Sequence, residues 1–215
     1  MLFRDPVLCR ISAGMKVIAI VGGSGSGKSY LSAILKEHYG DRAKILSYDS
    51  YYKRHDELSL EERARLNYDD PSSLDEELFL AHLAALKEGR DIYVPQYDFA
   101  IHNRKDEMSH FQSPDVLIVE GIMVLTIPHP EQYIDFSIFV DAKEETRFAR
   151  RLSRDIIERG RSKESVLAQW NASVKPMHDK HVEPEKLLAD CVLENNGDSG
   201  IESLSLSALF AKLPA

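Results

Sequence analysis

The chain has 215 residues, 43% hydrophobic and 29% charged, which is enough for one large domain with a substantial core. Its net charge of −8, from 35 acidic and 27 basic side chains, argues against a general nucleic-acid binder, so any anion site must be a local cluster of positive charge. Cys9 and Cys191 are too few for a disulfide framework or a cysteine zinc site, and no apolar run reaches the ~18 residues of a membrane span.

Asp5, Pro6 and Arg10 interrupt the apolar stretch that a signal peptide needs. The expectation is a cytoplasmic protein, with no membrane or nucleic-acid partner. Residues 1–14 read as an extension of unassigned role and 15–215 as a single domain. Val17–Val21 is a continuous apolar, β-rich run followed by glycines. A helical pattern carrying Leu31, Ile34 and Leu35 then closes near Gly40. Ile45–Ser47 reads as a second strand.

Ser59 with Glu62, and Ser73 with Glu76, each have the spacing of a capping box; the second would open a helix carrying Leu74, Leu78, Ala81 and Leu86 and ending at Gly89. Ile92–Val94 followed by Pro95 predicts an edge strand or hairpin arm, because proline cannot serve a central ladder. Val116–Val119 and Ile134–Val140 read as buried strands. Phe148, Leu152 and Ile156 predict an apolar helix stripe ending at Gly160. Val166, Trp170 and Val174 predict another, stopped by Pro176, and Cys191–Leu193 a last strand. Within these stripes Trp170 reads as core. His178 and His181 of HDKH read as a solvated helix face rather than metal ligands.

Buried strands alternating with helices predict a three-layer α/β fold with a parallel central sheet. The stretch of about 52–112 is too long for a simple crossover and reads as a hairpin-containing insertion covering a substrate.

Three stretches carry chemistry. GGSGSGKS, Gly22-Gly23-Ser24-Gly25-Ser26-Gly27-Lys28-Ser29, follows a strand and opens a helix, the setting a phosphate-binding P-loop requires. Backbone amides and the helix N-terminus would hold phosphate oxygens, Lys28 would reach the β- and γ-phosphates, and the Ser29 hydroxyl would ligate Mg²⁺. Glu120 ends the Val116–Val119 strand, where it can help hold the metal. Asp49 follows the second strand, where a carboxylate can orient an attacking hydroxyl and accept its proton.

GGSGSGKS, YDSYYK, NYDDPSSLD, PQYDFAIHNR, EGI, FVDA and RRLSRDIIERGR occur in an order that resembles the uridine kinase (uridine–cytidine kinase) family, over roughly Val17 to Asp190. The resemblance implies a homotetramer that phosphorylates the 5′-hydroxyl of uridine or cytidine with ATP or GTP and Mg²⁺. It places Asp69 of NYDDP on the ribose hydroxyls, Tyr97 and His102 on the pyrimidine with Phe99 packing beside it, and Tyr52 with the substrate. By the same match Arg151 touches ribose and substrate oxygen as well as taking part in catalysis with Asp49, Lys28 and Arg154. Arg154 and Arg159 contact the phosphates; Arg161 and Gln169 face the nucleoside. The arginine-rich stretch of about 147–162 would be a lid.

Other nucleotide-using classes fit less well. A signalling GTPase would need Asn-Lys-x-Asp and Asp-x-x-Gly, which the chain lacks, and an assembly ATPase would carry Asp-Glu where Glu120-Gly121 stands. Sister kinases acting on phosphoribulose or pantothenate share the loop; Tyr97, Phe99 and His102 argue against a sugar-phosphate pocket. One departure is Glu194-Asn195-Asn196-Gly197, in place of an Arg-Gly-Gly type turn near the nucleotide base; the tail from Asp198 also diverges. Both bear on the choice of ATP or GTP and on feedback by pyrimidine triphosphates.

Overall fold

The computed structural model describes residues 14–197, 201 and 203–214. The expected N-terminal extension lies outside them but for Gly14. The chain is an α/β protein with a parallel five-stranded sheet in the order β2-β5-β1-β6-β7. β1 (Lys16–Val21) leads through the glycines into α1 (Lys28–Tyr39), and β2 (Ala43–Ser47) returns to the sheet. Alternate residues of β1 enter different cores. Val17, Ala19 and Val21 join Leu117, Val119 and Phe139 on one face, while Ile18 and Ile20 join Ile118, Ile138 and Val140 on the other. A strand apolar on both sides must be covered on both sides, hence three layers.

Between β2 and the next sheet strand lie α2 (Leu60–Arg63), α3 (Glu76–Lys87) and an antiparallel hairpin of β3 (Ile92–Asp98) and β4 (Asn103–Phe111). α2 has the expected capping box: the Ser59 hydroxyl accepts from the Glu62 amide and the Glu62 carboxylate accepts from the Ser59 amide. The expected Ser73–Glu76 box does not form. Ser73 closes a 3₁₀ turn, donating its hydroxyl to the Tyr68 and Asp70 carbonyls, and the Asp75 carboxylate caps α3 through the Leu78 amide at 3.2 Å. The buried stripe of α3 is accordingly Phe79, Leu83 and Leu86; Leu74 precedes the helix and Ala81 faces out. Pro95 sits where the hairpin register shifts, consistent with its missing donor.

β5 (Val116–Gly121) and β6 (Phe136–Asp141) flank β1, with β6 starting two residues later than expected. α4 (Glu144–Ile157) overturns the expected stripe. Its buried positions are Arg147, Arg151 and Asp155, whereas Phe148 and Leu152 are half-buried and Ile156 is exposed. The charged face turns toward the phosphate loop and needs partners there, and Phe148 packs edge-on against Trp170, a core residue as expected.

α5 (Lys163–Gln169) continues through a π-turn, Trp170–Val174, into α6 (Lys175–Met177) and on in helical geometry to Leu187, so Pro176 does not stop it. The wider turn, in which the Lys175 amide reaches the Trp170 carbonyl, absorbs the absent proline donor. β7 (Cys191–Glu194) ends the sheet, and α7 (Ser203–Phe210) lies on α1, stacking Phe210 on His38 at 4.3 Å. Among the described residues no helix is long and apolar enough to cross a membrane.

Candidate active site

Register brings the chemistry to one edge. Val21 pairs with Gly121 and Ser47 with Glu120, so the loops after β1, β2 and β5 leave the sheet side by side. The phosphate loop packs tightly. A Cβ on Gly22 would lie 2.5 Å from the Val140 carbonyl oxygen, and one on Gly27 would collide with Asn195 Nδ2, with both glycines at positive φ. Gly23 and Gly25 rest against Arg147 of α4, and the Ser26 carbonyl accepts Asn195 Nδ2 at 2.7 Å. Lys28 Nζ donates to the Gly23 carbonyl at 3.1 Å, and Ser29 Oγ donates to Glu120 Oε2 at 2.9 Å.

Burial lowers the Lys28 pKa, with Glu120 and Asp49 working against that shift; burial raises Glu120, with Lys28 and the Ser29 hydroxyl opposing. The donor set fits magnesium, since a hydroxyl and a carboxylate supply two hard oxygens and a triphosphate and water can supply the rest.

Across the cleft, Asp49 sits in the 3₁₀ turn Tyr48–Tyr51. Arg104 of β4 fastens that turn, its Nε donating to the Tyr52 carbonyl at 2.6 Å and its Nη2 to the Tyr51 carbonyl at 2.9 Å while its Nη1 pairs with Asp75. The hairpin contributes an aromatic wall, with Tyr97 5.1 Å from Tyr52 and 5.2 Å from Phe99, centroid to centroid. His102 holds a left-handed backbone (φ 49) at the hairpin turn, stacked on Tyr68, whose hydroxyl donates to the His102 carbonyl. Burial, then Arg161, Arg159 and Arg63, lower the His102 pKa and favour the neutral ring, which can both donate and accept. Asp69 is buried and accepts from Ser173 Oγ at 2.9 Å; burial raises its carboxyl pKa and Arg151 opposes this.

The arginines close the third side. Arg151 donates to Ser24 Oγ and to Gln169 Oε1, both at 2.9 Å, and Arg161 shares that Gln169 oxygen at 2.5 Å. Arg159 lies over the Phe99 ring at 4.3 Å, and Arg154 also faces the cleft. Ser24, Lys28, Ser29, Asp49, Tyr52, Asp69, Tyr97, Phe99, His102, Glu120, Arg151, Arg154, Arg159, Arg161 and Gln169 thus surround a single cleft. Gly22, Gly23, Gly25, Ser26 and Gly27 shape the loop from behind.

The family model described as Phosphoribulokinase / Uridine kinase family matches residues 17–202. The chain belongs to this phosphoribulokinase / uridine kinase family. Relatives include the uridine kinase of Clostridium perfringens, 40% identical over 197 residues (91% of this chain, 93% of the relative). That of Haemophilus ducreyi is 43% identical over 202 residues (92% and 93%). Among solved structures, a phosphoribulokinase from Rhodobacter spheroides matches with a TM-score of 0.62 at 15% identity (85% of this chain, 71% of that one), a likeness of fold. A D-glycerate 3-kinase from Cryptococcus neoformans matches with 0.54 at 19% identity (77% and 78%).

Several residues of this family member escaped the sequence reading. Tyr68 lines the cleft from within NYDDPSSLD, and Ser173 donates to Asp69, yet neither residue type by itself announces that contact. Arg104 ends the PQYDFAIHNR stretch, where its residue type and spacing give it no role. His178, expected on a solvated face, is 7% exposed, pressed against Gly23 beside Arg147 and paired with Glu183 at 3.3 Å. Burial first, then Arg147, push its pKa down to about 4. The π-turn redirected the helix and brought this face inward. Asn195, within the departing ENNG turn, clamps the phosphate loop, and Arg150 donates to the Asn195 and Gly197 carbonyls.

Proposed function

We propose that the chain transfers the γ-phosphoryl group of ATP or GTP to the 5′-hydroxyl of uridine or cytidine, giving UMP or CMP for pyrimidine salvage in the cytoplasm. The observation carrying this reading is the placement of Asp49 in one cleft between Lys28 and Ser29 on one side and Asp69, Tyr97, Phe99 and His102 on the other. In this reading residues of about 52–112 form the nucleoside-binding insertion, those of about 147–162 a lid, and the working unit is a homotetramer.

Asp69 accepts from the ribose cis-diol while Ser173 holds its second oxygen. The aromatic wall flanks the pyrimidine, and neutral His102 meets its polar edge. Asp49 orients the 5′-hydroxyl and takes its proton as the oxygen–phosphorus bond forms and the bond to the β-phosphate oxygen breaks, releasing the nucleoside diphosphate. Lys28, Arg151, Arg154 and Arg159 supply donors for charge spreading over the transferring group. Ser29 and Glu120 would hold Mg²⁺, which would supply positive charge to offset that of the bound polyphosphate. Positioning accounts for most of the acceleration because the chain performs no covalent step of its own.

A coupled assay of uridine, cytidine, ribulose 5-phosphate and pantothenate against ATP and GTP tests the reading. Strong turnover is expected with the two nucleosides alone. Turnover of ribulose 5-phosphate or pantothenate above that of uridine would refute it, and sedimentation velocity checks the tetramer.

A further inference from the structure

Asp155 is 0% exposed, and it is surrounded by positive charge. Arg154 Nη2 and Arg159 Nη1 approach its Oδ1 at 3.0 and 3.4 Å; Arg161 Nη1 and Arg151 Nε approach its Oδ2 at 3.3 and 3.6 Å. The Arg161 amide also donates to the Asp155 carbonyl at 3.1 Å, tying the chain beyond Gly160 back to α4. All four of these arginines line the cleft, whereas Arg147 and Arg150 of the same helix turn to the Ala142, Ser26, Asn195 and Gly197 carbonyls. The cleft-lining arginines of this segment therefore converge on a single carboxylate that no bound molecule can reach from solvent.

Four guanidiniums facing one cleft repel each other and would splay outward without an anion among them. A carboxylate with two oxygens, each approached by two guanidiniums, shares with a phosphoryl group its negative charge and the bidentate contacts it invites from arginine.

We infer that Asp155 is an internal stand-in for the phosphoryl anion: it holds Arg151, Arg154, Arg159 and Arg161 in place before the triphosphate arrives, then gives up part of their hydrogen bonding to it. Asp155 is a positioning residue, since it touches the arginines and not the reacting atoms. It lowers ground-state affinity for polyphosphate, because the same donors are already engaged. It raises the rate, because those donors need no reorganisation when charge develops on the transferring group. Arg154, Arg159 and Arg161 keep part of their side chains open to the cleft and are the ones free to exchange partners. This inference rests on the reading of the cleft as a triphosphate site, and is independent of which hydroxyl compound accepts the phosphate.

Calorimetric titration of the full chain with inorganic tripolyphosphate, beside steady-state kinetics, tests it. Asp155→Asn is isosteric and removes the charge. Tripolyphosphate is expected to bind this variant about tenfold tighter than the parent, as removal of one nearby negative charge in a partly solvated site implies, while kcat falls about 10²-fold from lost alignment. Asp155→Glu keeps the charge and displaces it; its kcat is expected to fall similarly while tripolyphosphate affinity stays within about twofold of the parent. A role in folding alone would weaken both readouts together. Unchanged or weaker tripolyphosphate binding by a folded Asp155→Asn variant would overturn the inference. So would a variant that stays unfolded with tripolyphosphate present, because an anion in the cleft is required to hold the same guanidiniums from its own side. Parent chain that binds tripolyphosphate as described but leaves uridine untouched would remove the proposed substrate and leave Asp155 in its role.

Discussion

Replacing Asp69 by Asn removes one negative charge from a buried position whose Oδ2 accepts from Ser173 at 2.9 Å and whose neighbour is Arg151. The carboxylate can accept from both ribose hydroxyls; an amide oxygen accepts while its NH₂ group points a donor at one of them. Hydrogen bonds to a charged partner contribute about 1.5–3 kcal/mol each, so loss of one corresponds to a roughly 10- to 150-fold rise in KM for uridine, with kcat largely kept because the 5′-oxygen is not touched. Deoxyuridine lacks one hydroxyl and already forgoes that bond. The kcat/KM ratio of uridine to deoxyuridine should therefore collapse in the variant by a similar factor. Ser173→Ala, which frees the second oxygen of Asp69 without changing its charge, should cost about 3- to 10-fold in KM.

Burial raises the Asp69 pKa, so the accepting form is lost at a higher pH than for a surface aspartate. As pH falls through that raised value, kcat/KM for uridine should fall with it, and Asp69→Asn should lack this acid limb. Parallel profiles of kcat/KM against pH for both nucleosides and both proteins are the assay. A variant that keeps the parent's preference for ribose would refute the assignment of Asp69 to the sugar.

Asp49→Asn is expected to lower kcat at least ~10²-fold with nucleoside affinity largely kept; near-normal turnover would remove Asp49 from proton transfer. Glu185 is buried, accepts from the Leu125 amide at 2.6 Å, and has its carboxyl pKa raised well above 4.5 by burial. A carboxyl raised in the folded state costs stability as pH climbs from its unfolded pKa toward the folded one. Glu185→Gln, which keeps the acceptor, should thus gain about 1–2 kcal/mol at pH 8, a Tm rise of about 3–6 °C, and nothing below pH ~4; an equal difference at both pH values would contradict this. Gly27→Ala must place its Cβ where Asn195 Nδ2 sits, at φ 104. We expect a loss of about 2–3 kcal/mol, read as a Tm drop of about 5–10 °C, with the clash part recovered in an Asn195→Ser background.

The phosphate loop, Asp49 and Glu120 were legible because each stands at the end of an apolar β-rich run, and in a parallel sheet those ends share an edge. The central strands β1 and β5 were legible for the same reason, since burial on both faces makes them nearly unbroken apolar runs. Where a helix borders a site the same logic misleads. Apolar periodicity picked Phe148, Leu152 and Ile156 as the inward face of α4, whereas its buried face is Arg147, Arg151 and Asp155. Burial there follows charge complementarity with neighbours that one helix's pattern cannot display. Pro176 and His178 failed alike, because a π-turn spends one extra residue and rotates everything after it.

Sequence alone determined the fold class, the phosphate-loop motif and the placement of Asp49 and Glu120 at strand ends, because local chemistry and strand burial are written in short consecutive runs; the other cleft residues came from the resemblance to a family. Only the tertiary structure decided that Arg104 of β4 fastens the Asp49 turn, that Ser173 supports Asp69, and that four arginines converge on Asp155. The first two contacts join residues 52 and 104 positions apart. The third gathers Arg151 and Arg159, four residues to either side, the adjacent Arg154, and Arg161 from beyond the Gly160 turn around one carboxylate, and which of these side chains turn to it is fixed by how the segments pack.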